Sequence, residues 1–309
     1  KAALGAPEVA VAFERAGVTG LGDSRVQNLA RLRAGGTRLP LTLIRSPMLS
    51  EVEAVVREVA RSVHSEGAVL DALSAAASPE RTPHGVILMV ELGDLREGVP
   101  AEAVHALAVH VEALPGLHLA GLGTNLACQS GIAPDQSKMD ELSEIAGAVE
   151  RAIGRPLDVV SGGGSAALGR ALTTTDVGRV NELRLGESIL LGTDPLHRTP
   201  IEGLHTDACR LVAEVIEVQY KPAQPWGTQG HSTFGIPAAR PGRGTRRQAL
   251  VALGHQDVDP AGVVPPPDLV VLGASSDHLV LDADASDVAV GDCIELGLDY
   301  GALVRAMTS

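Results

Sequence analysis

Along the first 200 positions apolar residues follow two alternating rhythms. Short apolar runs, each suited to a buried strand, are followed by stretches with one apolar face at helical spacing. The pattern predicts strands at 19–22, 41–45, 61–64, 85–90, 117–123, 157–160 and 180–183. It predicts helices at 7–16, 24–34, from Ser50 through Val56, from Ser65 through Ala76, and at 101–114 and 135–153. The run Gly85-Val86-Ile87-Leu88-Met89-Val90 has no polar position, as a strand covered on both faces requires. In the last helix Leu142, Ile145, Ala146 and Val149 share one face. Seven strands preceded by an opening helix at Pro7 predict an eight-fold β/α barrel, a TIM barrel, whose first strand would end at Lys1. Beyond residue 203 the helical rhythm gives way to β-rich runs at 209–218, 248–253, 269–272, 279–281 and 287–298, with proline and glycine crowding the gaps. The predicted organisation is a barrel domain over 1–203 and a smaller all-β domain over 204–309.

Composition narrows the function classes. Of 309 residues 45% are hydrophobic but only 2% aromatic, so the core must be built from Ala, Val, Leu and Ile. A net charge of −13 argues against general nucleic-acid or anionic-membrane binding. No apolar run reaches the length of a membrane span, and no signal peptide is evident. The cysteines, Cys128, Cys209 and Cys293, are an odd, dispersed set without a C-x-x-C pair. They predict neither a disulfide framework nor a metal site, and they fit a cytoplasmic setting.

Two glycine-rich loops carry the first chemical signal. Ser161-Gly162-Gly163-Gly164-Ser165 follows the strand at 157–160, and Arg184-Leu185-Gly186-Glu187-Ser188 follows that at 180–183. Late strands of a β/α barrel are where phosphate sites are built from exposed backbone N–H groups, and a side chain on the loop would hold the phosphate away. Tight turns that bind nothing are the plain alternative. The second signal is scarcity. Of 25 basic residues only Lys1, Lys138 and Lys221 are lysines. Lys1 alone falls at the predicted mouth of the barrel, where a pocket lysine that sheds its proton acts as nucleophile and base.

The chain resembles the alanine-racemase type of pyridoxal-phosphate enzyme. The resemblance is carried by Lys1-Ala2 with Gly5, by Arg96, by the turn Gly164-Ser165-Ala166-Ala167 and by Arg184-Leu185-Gly186. Asp23 to Asn28, Pro47 to Glu53, Leu92 to Gly98 and Gly273 to Leu279 are similar, more narrowly, to the ornithine-racemase branch. The resemblance implies a pyridoxal 5'-phosphate enzyme that interconverts the L- and D-forms of a free amino acid, ornithine or another basic one, as a homodimer. It implies that Lys1 holds the cofactor as a Schiff base. Gly164, Ser165, Gly186 and Ser188 would cradle the phosphate. Arg184 would face the pyridine nitrogen, leaving it unprotonated and the ring a weak electron sink. Arg96 would lie near the cofactor's phenolic oxygen or the substrate carboxylate.

The chain departs from that family at two positions. Where alanine racemases carry a tyrosine as second base, this chain has His255 in Leu253-Gly254-His255-Gln256-Asp257. A histidine is a competent acid–base group there, so Lys1 and His255 are the expected catalytic pair. Asn125 stands where relatives place a histidine against the cofactor ring. For the distal ammonium of a basic substrate the candidates are Asp277, Asp94, Glu187, Asp257 and Asp259, and the sequence does not choose among them. Ion pairs are the structural alternatives, Asp94 for Arg96 and Glu182 or Glu187 for Arg184. A decarboxylase of the same fold would favour a glutamate at the pyridine nitrogen. A non-catalytic pyridoxal-phosphate carrier would dispense with the second domain. A phosphosugar enzyme would leave that domain unexplained.

Overall fold

The structure is a computed structural model that describes residues 3–77, 82–228, 230–234 and 244–308. Lys1 lies outside the described residues, as do Arg240 and Arg243. The chain divides into two compact units. One comprises 1–189 with 193–204, the other 190–192 with 205–309.

The first unit alternates helix and strand: α1 (Pro7–Arg15), β1 (Leu21–Asp23), α2 (Val26–Ala34), β2 (Leu41–Leu43), α3 (Val52–Glu58), β3 (Arg61–His64), α4 (Gly67–Ala76), β4 (His84–Val90), α5 (Ala101–Ala113), β5 (Leu117–Thr124), α6 (Gln136–Ile153), β6 (Val159–Ser161), α7 (Leu168–Thr173) and α8 (Glu187–Leu191). Strands β1 to β6 pair in chain order, and every pairing is parallel. The run predicted as a seventh strand at 180–183 is a single parallel bridge between Ser161 and Glu182. Its backbone still runs beside β6, with Asn181 donating to the Val160 carbonyl and Gly162 to that of Glu182, each at 3.0 Å. Arg184 continues the pairing by donating to the Gly163 carbonyl at 2.9 Å. A short hairpin, β7 (Thr193–Asp194) with β8 (Thr199–Pro200), closes the unit.

Strand alternation splits the apolar residues into two sets. Val86, Leu88 and Val90 pack with Leu73, Val104 and Leu142 of the helices in the main core. Ile87 and Met89 point to the other face and gather with Val63, Ala120 and Val159 in the barrel interior. Gly121 permits this arrangement, because a Cβ there would fall on the Val159 carbonyl.

A polar group is embedded in this core. The Ser62 hydroxyl lies 2.7 Å from His64 Nε2 and 2.6 Å from His84 Nε2. All three residues are buried. One hydroxyl has one proton to give, so one imidazole accepts from Ser62 while the other donates to it, and the two rings carry opposite tautomers. Burial pushes His64 down to about 3, helped by His84, and pushes His84 down to about 4 against the pull of the Val59 carbonyl. Both rings are therefore neutral in the fold. Below a pH of about 6.5 the unfolded chain takes up two protons that the fold refuses, so stability falls as pH drops from that point toward about 4. Denaturant melts are expected to show a loss of about 3 kcal/mol between neutrality and about pH 5.5 from these two groups. An unchanged midpoint over that window would contradict the neutral pair.

The second unit is an antiparallel sheet in the order β11-β14-β9-β10-β13-β12. Its strands are β9 (Leu211–Pro222), β10 (Thr245–Val251), β11 (Val263–Val264), β12 (Val270–Ala274), β13 (Leu279–Asp282) and β14 (Cys293–Leu298). Val215, Val251, Leu281 and Leu296 form its core. Two sequence expectations are corrected here. The run at 287–298 is a strand only from Cys293, because 287–292 turns. The unit also contains a helix, α9 (Tyr300–Ala306), started where the Asp299 carboxylate accepts the Ala302 N–H at 2.8 Å. Arg246 and Arg247 are residues of β10. Arg246 is buried 2.8 Å from Asp282, and Arg247 donates to the carbonyls of Ala283, Ser286 and Val288.

Candidate active site

The two glycine loops meet on one oxygen. The Ser165 hydroxyl accepts from the backbone N–H of Gly186 at 3.1 Å and of Ser188 at 3.0 Å, and the Ser188 hydroxyl lies 3.1 Å away. Ser165 and Ser188 are buried. Among the described residues the N–H groups of Gly163 and Gly164 have no hydrogen-bond acceptor. Gly163 is held at a φ of 111°, a backbone state that glycine adopts freely. A Cβ at Gly186 would meet open space within 4 Å, and one at Gly164 nothing nearer than the Arg184 carbonyl at 3.5 Å. The two loops are thus held together at Ser165, and the site offers the N–H groups of Gly163 and Gly164 and room in front of the glycines. An anion with several oxygens fits it, and the phosphate of pyridoxal phosphate is of that kind.

Arg184 leaves the second loop and reaches across the ends of two strands. Its guanidinium donates to the Ser161 hydroxyl, to the Thr124 carbonyl at 2.6 Å and to Asn125 Oδ1 at 3.2 Å. Asn125 Nδ2 donates onward to Glu97 Oε1 at 3.0 Å. Glu97 in turn is ion-paired with Arg96, Nε to Oε2 at 2.5 Å and Nη2 to Oε1 at 2.6 Å. The chain of contacts Arg96–Glu97–Asn125–Arg184 fixes the Asn125 amide, whose oxygen faces a cation and whose nitrogen faces a carboxylate. Burial pushes the Arg184 guanidinium below its usual range, while the Glu182 and Glu97 carboxylates hold it up. The side chain remains a cation that only donates hydrogen bonds.

Three sequence candidates, Arg96, Asn125 and Arg184, are therefore joined in one network. Glu97, which links them, was assigned no role from the sequence, and its only signal there was its place next to Arg96. Neither simple ion pair forms as foreseen. Arg96 pairs with Glu97 rather than Asp94, and Arg184 is held by a hydroxyl, a carbonyl and an amide. Glu182 instead pairs with Arg61.

The structure also sorts the ammonium candidates. Asp94 is buried and saturated. Its carboxylate accepts the consecutive N–H groups of Cys128, Gln129 and Ser130 at 2.9–3.3 Å, and its carbonyl accepts the Ser130 hydroxyl. That clamp joins the loop after β4 to the loop after β5 and leaves no lone pair for a substrate. Asp259 starts a 3-10 turn by accepting the Ala261 N–H. Glu187 lies 3.9 Å from Arg198. Asp277 is exposed, and one of its oxygens faces the hydroxyls of Ser275 and Ser276 and the ring of His278. The His278 contact, foremost, holds the Asp277 carboxyl below the usual carboxylate range.

In the second unit His255 stands on the turn after β10, not within a strand. Its ring is half-buried and stacks on Phe234. Among the described residues no three His, Cys, Asp or Glu side chains are placed to hold a metal ion. No described helix is long and apolar enough to cross a membrane.

Comparison with known proteins agrees with this picture. The family model for the alanine racemase N-terminal domain matches residues 1–195. A lysine racemase from Thermotoga maritima is 38% identical over 313 residues, covering 100% of this chain and 87% of that protein. An ornithine racemase from Acetoanaerobium sticklandii is 37% identical over 295 residues, covering 93% of this chain and 82% of that protein. The crystal structure of D-threonine aldolase from Filomicrobium marinum superposes with a TM-score of 0.76 at 18% identity, covering 99% of this chain and 80% of that one. At such identity the match speaks for the fold alone.

Proposed function

The chain belongs to the alanine racemase family and is an amino-acid racemase; from that premise we propose that it uses pyridoxal 5'-phosphate to interconvert the L- and D-forms of a free basic amino acid, lysine or ornithine. The observation that carries the reading is the similarity of nearly the whole chain to two racemases named for basic amino acids. The site supports it with an anion seat beside a cationic network.

Gly164, Ser165, Gly186 and Ser188 would hold the phosphate, and Arg184 and Asn125 the ring. Pyridoxal phosphate bound there supplies an electron sink that acidifies the α-C–H of the amino acid. Lys1 holds the cofactor and moves the α-proton on one face of the substrate. His255 of the partner subunit, in a homodimer, moves it on the opposite face. Arg184 has no acceptor to offer and lends the pyridine nitrogen no proton, which keeps the sink modest and favours prompt return of a proton to carbon. Arg96, already paired with Glu97, presents its remaining donors to the substrate carboxylate. Asp277, with a carboxyl oxygen outside its loop contacts, is assigned to the distal ammonium. A cytoplasmic setting is part of the proposal, supported by three free cysteines.

The test is chiral chromatography of lysine, ornithine, arginine, alanine and serine after incubation with the cofactor-loaded protein. The expected order places lysine or ornithine at least about tenfold above alanine in kcat/KM, the effect of one charged-group contact. Alanine turned over fastest would overturn the substrate class and leave the family intact.

A further inference from the structure

The ten histidines of this chain are treated unequally. Seven have a ring nitrogen near Ser62 or an aspartate. His105 and His231 are exposed. His255 alone is sheltered from bulk water while neither ring nitrogen has a hydrogen-bond partner among the described residues. What holds it is apolar. The Phe234 ring lies over the imidazole with centroids 3.9 Å apart and planes inclined by 24°.

The backbone beneath that ring is pinned on several sides. The His255 N–H donates to the Ser275 carbonyl and the Gln256 N–H to that of Ser276, both at 2.9 Å. The His255 carbonyl accepts from the Arg305 guanidinium. Gly254 closes the turn, donating to Asp257 Oδ2 at 2.9 Å, and a Cβ at Gly254 would fall on the Ser276–Asp277 peptide. The turn is thus fixed, and the remaining freedom of His255 is rotation of its side chain. Phe234 restrains that freedom. It is one of only two phenylalanines in the chain, and the residue is 49% exposed, so core packing does not account for it.

We propose that Phe234 is a positioning residue for His255: stacking fixes the plane of the imidazole and leaves its nitrogens free at the edge to exchange a proton with the substrate. This rests on the reading of His255 as the second base. A polar partner on one ring nitrogen would also orient the ring, but it would fix which nitrogen carries the proton. An aromatic face orients the plane and leaves both nitrogens open.

The experiment compares Phe234→Ala, Phe234→Leu, Phe234→Tyr and His255→Asn in the cofactor-loaded full chain. It measures kcat in both directions and the primary isotope effects with α-deuterated L- and D-lysine. Phe234→Ala and Phe234→Leu are expected to lower kcat about tenfold, an imposed misorientation of one catalytic group. The isotope effect should rise for the enantiomer whose proton His255 removes and fall for the other. Phe234→Tyr, which keeps the stack, should retain the parent values. General damage to the fold would lower kcat without driving the two isotope effects apart. If His255→Asn racemises like the parent, the second-base reading fails and the positioning role falls with it. If His255→Asn is slow while Phe234→Ala keeps the parent kcat and isotope effects, the positioning role alone is overturned.

Discussion

Exchange of Lys1 for alanine is expected to lower kcat for racemisation by about 10⁴-fold, because in the proposed function one side chain would serve both as the anchor of the cofactor and as an acid–base group. The other two lysines of the chain are already engaged. Lys138 is ion-paired with Glu141 at 3.0 Å on α6, and Lys221 with Glu217 on β9. Both remaining lysines thus have carboxylate partners within their own elements. Chiral chromatography measures the rate. Mass spectrometry after borohydride reduction locates the cofactor, which should be fixed to Lys1 in the parent and to no residue in the variant. A variant that keeps activity within tenfold of the parent would remove Lys1 from the mechanism.

The second large effect is expected at Arg184. Its guanidinium faces the Thr124 carbonyl, Asn125 Oδ1 and the Ser161 hydroxyl, with the Glu182 and Glu97 carboxylates contributing from nearby. The surroundings are acceptors, which suit a cation. Arg184→Glu would set a carboxylate among them and leave their lone pairs unanswered, at a cost of about 3–5 kcal/mol of stability. Racemisation should fall by about 10²- to 10³-fold, the loss seen when one preorganised donor is removed. Arg184→Gln keeps one donor and should fall between that variant and the parent. Thermal melts and kcat check both. The same surroundings weigh against a decarboxylase, which would want a carboxylate here. A stable Arg184→Glu protein with undiminished racemisation would show that the cationic network has no bearing on the reaction.

Much of the barrel was readable in the hydrophobic rhythm. Strand β3 spans the predicted 61–64, and α5 and α6 fall within a residue of their predicted bounds, because long apolar repeats specify element type strongly. The all-apolar run of β4 also marked a strand buried on both faces. The run at 180–183 misled, since Asn181, Glu182 and their neighbours hold only one bridge to β6. Local apolarity does not report how many ladder bonds a segment finds. Helix α9 was missed because its start depends on the Asp299 cap rather than on a long periodic stretch.

In the site the two glycine loops stood out in the sequence, and the structure brings them together at Ser165. The partners did not stand out. Arg184 finds Thr124 and Asn125 across 60 and 59 positions, and Asn125 finds Glu97 across 28. Asp94, a reasonable ammonium partner on paper, proved to be the clamp on the Cys128–Ser130 backbone. Its buried state depends on a loop 34 to 36 positions away.

The central claim is that a hydrogen leaves the α-carbon of a free basic amino acid and returns from either face. Incubation of the cofactor-loaded chain with L-lysine or L-ornithine in heavy water tests it, followed by NMR of the α-position and separation of enantiomers. The account predicts that deuterium replaces the α-hydrogen as the D-enantiomer accumulates toward an equal mixture. Loss of carbon dioxide, or an α-hydrogen that stays in place in every amino acid tried, would contradict it.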